Sequence, residues 1–203
     1  MEVRPRLDAE AVESLGHVAG VVAALVGLAG VALSVVLAEG FSLREQALSE
    51  LGQAGADTAW LFNGSVVVAG ILGAIFAASI LRRLAHPLQR VGVAILGLAA
   101  LGLAAVGIFP MGHALHLPAA LLFFVGLTVG LIVTSIGDRK IDRPRRSRIS
   151  LNLALLHVLA WAFAFVTLEG IALPELIGGI IFAVWIVIVV IQRGRDLPEL
   201  VTA

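Results

Sequence analysis

The sequence predicts an all-α integral membrane protein: an antiparallel bundle of six transmembrane helices with both termini cytoplasmic. Three observations carry that prediction. Hydrophobic residues make up 60% of the 203 and charged residues 14%, against about 45–50% and about 25% in soluble domains. Six apolar runs each approach the roughly 20 residues that cross about 30 Å of hydrocarbon. Nearly all the positive charge falls in every second gap between those runs.

The first span is placed at 17–38. Its leader, MEVRPRLDAEAVES, sets Arg4 and Arg6 against Glu2, Asp8, Glu10 and Glu13. A secretory signal opens on a positive region and has a shorter apolar stretch. This run therefore reads as a retained helix behind a cytoplasmic tail, residues 1–16, amphipathic or disordered. The gap that follows, EGFSLREQALSELGQAGADT (39–58), is long. It predicts a short interfacial helix around 42–51, with Ser42 as cap and Glu45 at the third helical position.

The second span is placed at 59–81 and the third at 91–109. Pro110 closes the third, with Gly107 and Gly112 flanking a shaped turn. The fourth is placed at 117–136, the fifth at 150–168 and the sixth at 174–192. Pro174 opens the sixth, where a first-turn proline is tolerated. None of the six carries Asp, Glu, Lys or Arg inside its core. Each is apolar all round, as helices facing lipid or a bundle interior are. Mostly short connections make sequential helices antiparallel neighbours within one membrane domain, 1–203. The pairs Gly16/Gly20 and Gly126/Gly130 let backbones approach closely; tight packing within the bundle is favoured over a dedicated dimer face. The inverted repeat of many transporters is lacking.

Counted by gap, thirteen Lys and Arg residues fall in one set of compartments and one, Arg44, in the other. Cytoplasmic loops carry the basic excess. That places 39–58, 110–116 and 169–173 outside and predicts a multi-pass protein of the cell membrane. The run KIDRPRRSR (140–148), offset in part by Asp138 and Asp142, anchors this topology. It attracts anionic headgroups by about 1 kcal/mol per residue near the surface. Membrane lipids are thus the expected partners, with a homo-oligomer or larger membrane complex left open. A net charge of zero speaks against nucleic acid. With no Cys in the chain, disulfides, thiolate nucleophiles and Cys-ligated metals are excluded.

Few polar residues sit within the spans. Asn63, in WLFNGS, lies about one turn inside helix 2. Its amide must find a partner or cost several kcal/mol, so it predicts an interhelical hydrogen bond or a ligand contact. His157 shares a face of helix 5 with Trp161 at i+4. Packing is its expected role, with proton relay, metal or haem ligation as the sharper alternative. His113 and His116 in GIFPMGHALHLPAA share a helical face if helix 4 begins there, a spacing compatible with a divalent metal. Glu45, Glu50, Asp57 and Glu169 are acidic candidates on the same side. His157 stands about 16 Å of helix rise away and does not join them. No cofactor is predicted outright; a divalent metal or a haem remains as an alternative. Trp60 fits an aromatic belt.

Three segments carry a resemblance. ALSELG (47–52), WLFNGSVVVAGIL (60–72) and GIFPMGHALHLPAALLFF (107–124) resemble DUF998, a family of small polytopic prokaryotic membrane proteins. The resemblance spans roughly 17–192. It implies six helices and an outer-face cluster at Ser49, Glu50, Gly52, Asn63, Gly70, Gly107, Pro110, His113 and His116. The family pattern implies Asp where Glu50 stands, which weighs against a catalytic carboxylate of fixed reach. A fainter likeness joins the Ser–acid–Gly element and the later His to the Frag1/DRAM/Sfk1 group.

The family is named for lacking a function, so the functional expectation rests on the residues. It is a membrane-embedded binding or structural accessory protein rather than an enzyme, engaging a lipid, a small apolar ligand or a membrane partner from the outer face. One alternative is an intramembrane metal-dependent hydrolase or lipid-modifying enzyme using Ser49, Glu50, His113 and His116. Another is a transporter or redox-complex subunit, which would need ionisable groups that these spans lack.

Overall fold

In the computed structural model the backbone is described for residues 4–201 and the side chains for 11–192. Six α-helices follow in order: α1 (Arg4–Leu37), α2 (Ala59–Leu81), α3 (Pro87–Ile108), α4 (His116–Lys140), α5 (Pro144–Thr167) and α6 (Ala172–Val201). A short 3-10 helix, Leu48–Gly52, lies between α1 and α2. All six α-helices are long and apolar enough to cross a membrane. The chain is an all-α, six-span membrane protein.

Several helices outrun their apolar cores. Apolar composition marks the hydrocarbon slab, whereas a helix continues until a cap or proline stops it. Residues 4–16, expected within the tail, are helical, because α1 is continuous from Arg4. Helix α3 starts at Pro87 rather than 91 because His86 caps it. His86 Nδ1 accepts the Leu88 N–H at 3.1 Å, and Gln89 Oε1 accepts the His86 N–H at 3.1 Å. The basic gap 137–149 is mostly helical, broken only at 141–143, where Asp142 adopts φ 55°. Arg4, Arg6, Arg193 and Arg195 lie outside the described side chains.

Each helix packs on the one before it, and α6 closes the ring against α1. Small residues set the approach. A Cβ at Gly16 would fall on Ser79 and one at Gly30 on Ser65, an antiparallel register along α2. Gly20 faces Phe76 and Ile186, while Gly126 and Gly130 face Ala99 and Leu96 of α3. Both small-residue pairs are therefore occupied inside the bundle. Gly130→Ile would drive a side chain into Leu96 Cγ, 2.6 Å from the Cβ position. It is expected to destabilise by about 1–3 kcal/mol through overpacking, with the oligomeric state unchanged by light scattering. A changed oligomer at unchanged stability would instead assign this stripe to a dimer face.

The middle of the bundle is a plug of buried aliphatic and aromatic side chains, among them Phe76, Leu96, Phe123, Leu127, Phe182 and Trp185. Phe76 meets Trp185 edge-on at 5.7 Å, and Phe123 meets Phe182 edge-on at 5.9 Å. This plug divides a loop-rich end, bearing 38–58, 109–115 and 168–171, from a basic end bearing 82–86 and 141–143. At the basic end Glu13 pairs with Arg83 at 3.1 Å. At the other end Val31, Leu48, Leu51, Phe62, Val66 and Ala172 bury the 3-10 helix against α1, α2 and α6.

Candidate ligand-binding site

The loop-rich end is built by a clasp between two connections. Residues 42–46 form turns in which the Ser42 carbonyl accepts the N–H groups of Glu45 and Gln46. They do not form the expected α-helix at 42–51, and Glu45 is not its capping acid. Glu50 takes that role for the 3-10 helix: Oε1 accepts the Ala47 N–H and Oε2 accepts Gln46 Nε2–H, both at 2.8 Å. The Arg44 carbonyl accepts the N–H groups of Glu169 and Gly170, and the Gln46 carbonyl accepts that of Ala172. At Gly170 a Cβ would stand 2.3 Å from backbone atoms of Gln46. Only glycine permits that approach.

Under the clasp lies Glu175, in the first turn of α6 and 8% exposed. Its carboxylate accepts the Leu48 N–H at 2.5 Å, with the Ser49 N–H beside it. Glu175 and Asp138, both buried near helix ends, correct the expectation that the spans lack buried carboxylates. A usable signal existed: an ionisable residue inside a membrane span is a functional candidate by default.

Asn63 serves the same end. Its Nδ2 donates to the Gly52 carbonyl at 2.8 Å, and Thr58 Oγ1 donates to the Leu51 carbonyl at 2.9 Å. Asn63 therefore clamps the 3-10 helix onto α2 rather than joining two spans. Beyond α3, the Pro110 carbonyl accepts the His113 N–H at 3.0 Å. His113 is exposed, stacks on Phe109 at 4.9 Å, and takes the Leu115 N–H on Nδ1. Because α4 begins at His116, His113 lies in the preceding turn and the two imidazoles do not share a helical face. His116 Nδ1 lies 2.8 Å from the Phe109 carbonyl. A carbonyl only accepts, so the ring donates from Nδ1, which leaves Nε2 as an acceptor in the neutral ring. Among the described residues, no three His, Asp or Glu side chains group as metal ligands.

His157 is 1% exposed and belongs to a separate chain of bonds. Trp161 Nε1–H donates to its Nε2 at 3.0 Å, and Nδ1 lies 2.8 Å from Thr128 Oγ1. That pattern puts the proton on Nδ1, which donates to Thr128. The Thr128 hydroxyl in turn donates to the Phe124 carbonyl at 3.2 Å. Both ring nitrogens are engaged, as a packing histidine requires.

A cavity of about 80 Å³ occupies the loop-rich half of the bundle, walled by α1, α2, α3, α4 and α6. Ala24, Gly27, Val66, Phe124 and Phe182 contribute to its apolar wall. Three polar side chains also line it: Ser49, His116 and Glu175. Among the described residues, the side-chain hydrogen-bond contact of Ser49 Oγ is Met111 Sδ at 3.8 Å, a weak one. At Gly179, in the wall, nothing lies within 4 Å of where a Cβ would project. Of the sequence candidates, the cavity gathers Ser49 and His116. Glu50 lines a separate open hollow with Asp57 and Thr58, while Asn63, Pro110 and His113 do not line the cavity.

The basic end holds a second polar cluster. Gln89 Nε2–H donates to Asp138 Oδ1 at 2.6 Å, and Arg146 Nε stands 3.8 Å from the same oxygen. A cavity of about 20 Å³ adjoins them, lined also by Thr134 and Ser150. That is roughly the space one water needs, and Thr134 Oγ1 is buried there without a protein partner. Ile80, Val93 and Trp185 are among the apolar residues that line this cavity.

A family model described as a protein of unknown function, DUF998, matches residues 21–192. No curated protein and no solved structure matches the chain.

Proposed function

We propose that this chain, which belongs to the DUF998 family, is a membrane-embedded binding protein whose loop-rich end faces outward and receives a slender apolar chain. The cavity is the observation that supports this. Drug-sized ligands occupy about 300–1,000 Å³, and an apolar cavity of about 150 Å³ holds benzene. About 80 Å³ suits one thin stem, such as the end of an acyl or isoprenoid chain. The wall lets that stem sit among carbon atoms, and the Ser49–His116–Glu175 rim leaves a polar end facing polar groups.

Binding fits the geometry better than hydrolysis does. A general base needs hydrogen-bond reach to its nucleophile and a partner that orients it. Here the Phe109 carbonyl orients His116 through Nδ1, but the hydrogen-bond contact of Ser49 Oγ is the Met111 thioether and not that imidazole, so the nucleophile–base bond is missing. The aromatic plug between the cavity and the basic cluster likewise favours binding over conduction.

Filling the wall tests the reading. Gly179→Phe is expected to lower occupancy by co-purifying lipid about tenfold in native mass spectrometry, a change of about 1.4 kcal/mol, while the helical circular dichroism stays intact. Undiminished lipid occupancy in a folded variant would overturn it. Orientation has its own test, helped by a chain without cysteine. Ala54→Cys should react with an impermeant maleimide on intact cells and Arg145→Cys only after lysis. The reverse pattern would invert the topology.

A further inference from the structure

We infer that the ligand's polar end is a hydrogen-bond donor, a hydroxyl or an ammonium, and that anionic ends are rejected. This rests on the binding reading above and specifies the chemistry of the same cavity. An apolar stem leaving lipid for an apolar cavity gains little, because lipid tails are as apolar as the wall. Selection therefore falls to the polar rim.

That rim is rich in acceptors. Glu175 is acceptor-only when ionised, is buried, and already receives the Leu48 N–H of the 3-10 helix. Among the described residues, neither Lys nor Arg lines the cavity. Arg44, the one Lys or Arg of this end's connections, is exposed. His116 donates from Nδ1 to the Phe109 carbonyl, so its remaining nitrogen offers a lone pair. Ser49 is buried with only a sulfur contact, and its hydroxyl can orient as donor or acceptor. A phosphate or carboxylate here would be desolvated with no opposite charge to pair it, among groups that already offer lone pairs. A hydroxyl donates into this set at no charge cost. An ammonium gains an opposite charge as well.

The experiment uses the full-length protein in nanodiscs with four probes of one chain length: decanol, decylamine, decyl phosphate and decanoate. Gly179→Phe serves as the control for effects on the bilayer itself. Decanol and decylamine are expected to raise the wild-type Tm and to bind at least about tenfold tighter than the two anions, and to lose this advantage in Gly179→Phe. Glu175→Gln keeps an acceptor oxygen for the Leu48 N–H but removes the charge. It should weaken decylamine more than decanol. Decyl phosphate or decanoate binding as tightly as decanol, with loss in Gly179→Phe, would overturn the donor assignment and leave the binding reading standing. Wild-type shifts from none of the four, or shifts that survive in Gly179→Phe, would overturn both.

Discussion

Glu175→Ala is expected to destabilise the protein by about 3 kcal/mol and to free the connection 42–52. The Leu48 N–H bonds to this carboxylate, with the Ser49 N–H beside it, beneath the clasp. Each buried donor left unpaired costs about 1–3 kcal/mol. Glu175→Gln retains a carbonyl oxygen and loses only the added strength of a charge-assisted bond. It should cost about 1 kcal/mol on that count. Arg44 supplies the readout. It is exposed, yet its carbonyl is held by Glu169 and Gly170. Trypsin must therefore wait for the clasp to open, and cleavage tracks the open population when opening is fast. A loss of about 3 kcal/mol that falls on the clasp raises cleavage at Arg44 about 100-fold. Cleavage at the wild-type rate in Glu175→Ala would show that this carboxylate does not hold the clasp.

The six spans were legible because lipid imposes a length and a composition, and both are written along the chain. Their ends were less so. The start of α3 depends on His86 and Gln89 exchanging bonds across a turn, which hydropathy does not register. The capping-box pattern points to Ser42, where a serine precedes a glutamate by three. The working acid is Glu50, whose partner is the bare N–H of Ala47. A pattern that requires a capping side chain passes over it.

The site divides in the same way. Ser49 and His116 were visible as polar motif residues, and the structure brings both to one cavity. Glu175 was not, because it stands so near a span end that charge counting treats it as interfacial. What buries it is the 3-10 helix, 127 positions away in sequence. Non-local pairing of that kind leaves no local periodicity. The bond from Trp161 to His157 follows from their i+4 spacing, whereas Thr128 comes from the neighbouring helix and had no such signal.

At the basic end, Asp138→Leu is expected to cost about 3 kcal/mol, the upper end of what a buried donor left unsatisfied costs. The cost comes from the groups left behind. Gln89 is 2% exposed and its Nε2 donates to Asp138 Oδ1 at 2.6 Å, so its amide loses its only side-chain acceptor. The Arg146 side chain is 20% exposed and stands farther off, at 3.8 Å. It can turn its guanidinium outward along its own aliphatic stem. The penalty therefore sits mainly on Gln89, and replacing that residue too should return part of it. Gln89→Leu with Asp138→Leu is expected to be about 1–2 kcal/mol more stable than the sum of the single changes predicts, the coupling of residues in one bonded network. Chemical denaturation of the four proteins in one detergent measures it. Strict additivity would mean that Asp138 acts through Arg146 or through the backbone at 141–143 instead. The aromatic plug lies between this cluster and the apolar cavity, so distant sites should add independently. Decanol affinity should then be the same in Asp138→Leu as in wild type. A tenfold loss there, in a folded protein, would join the two ends into a single site.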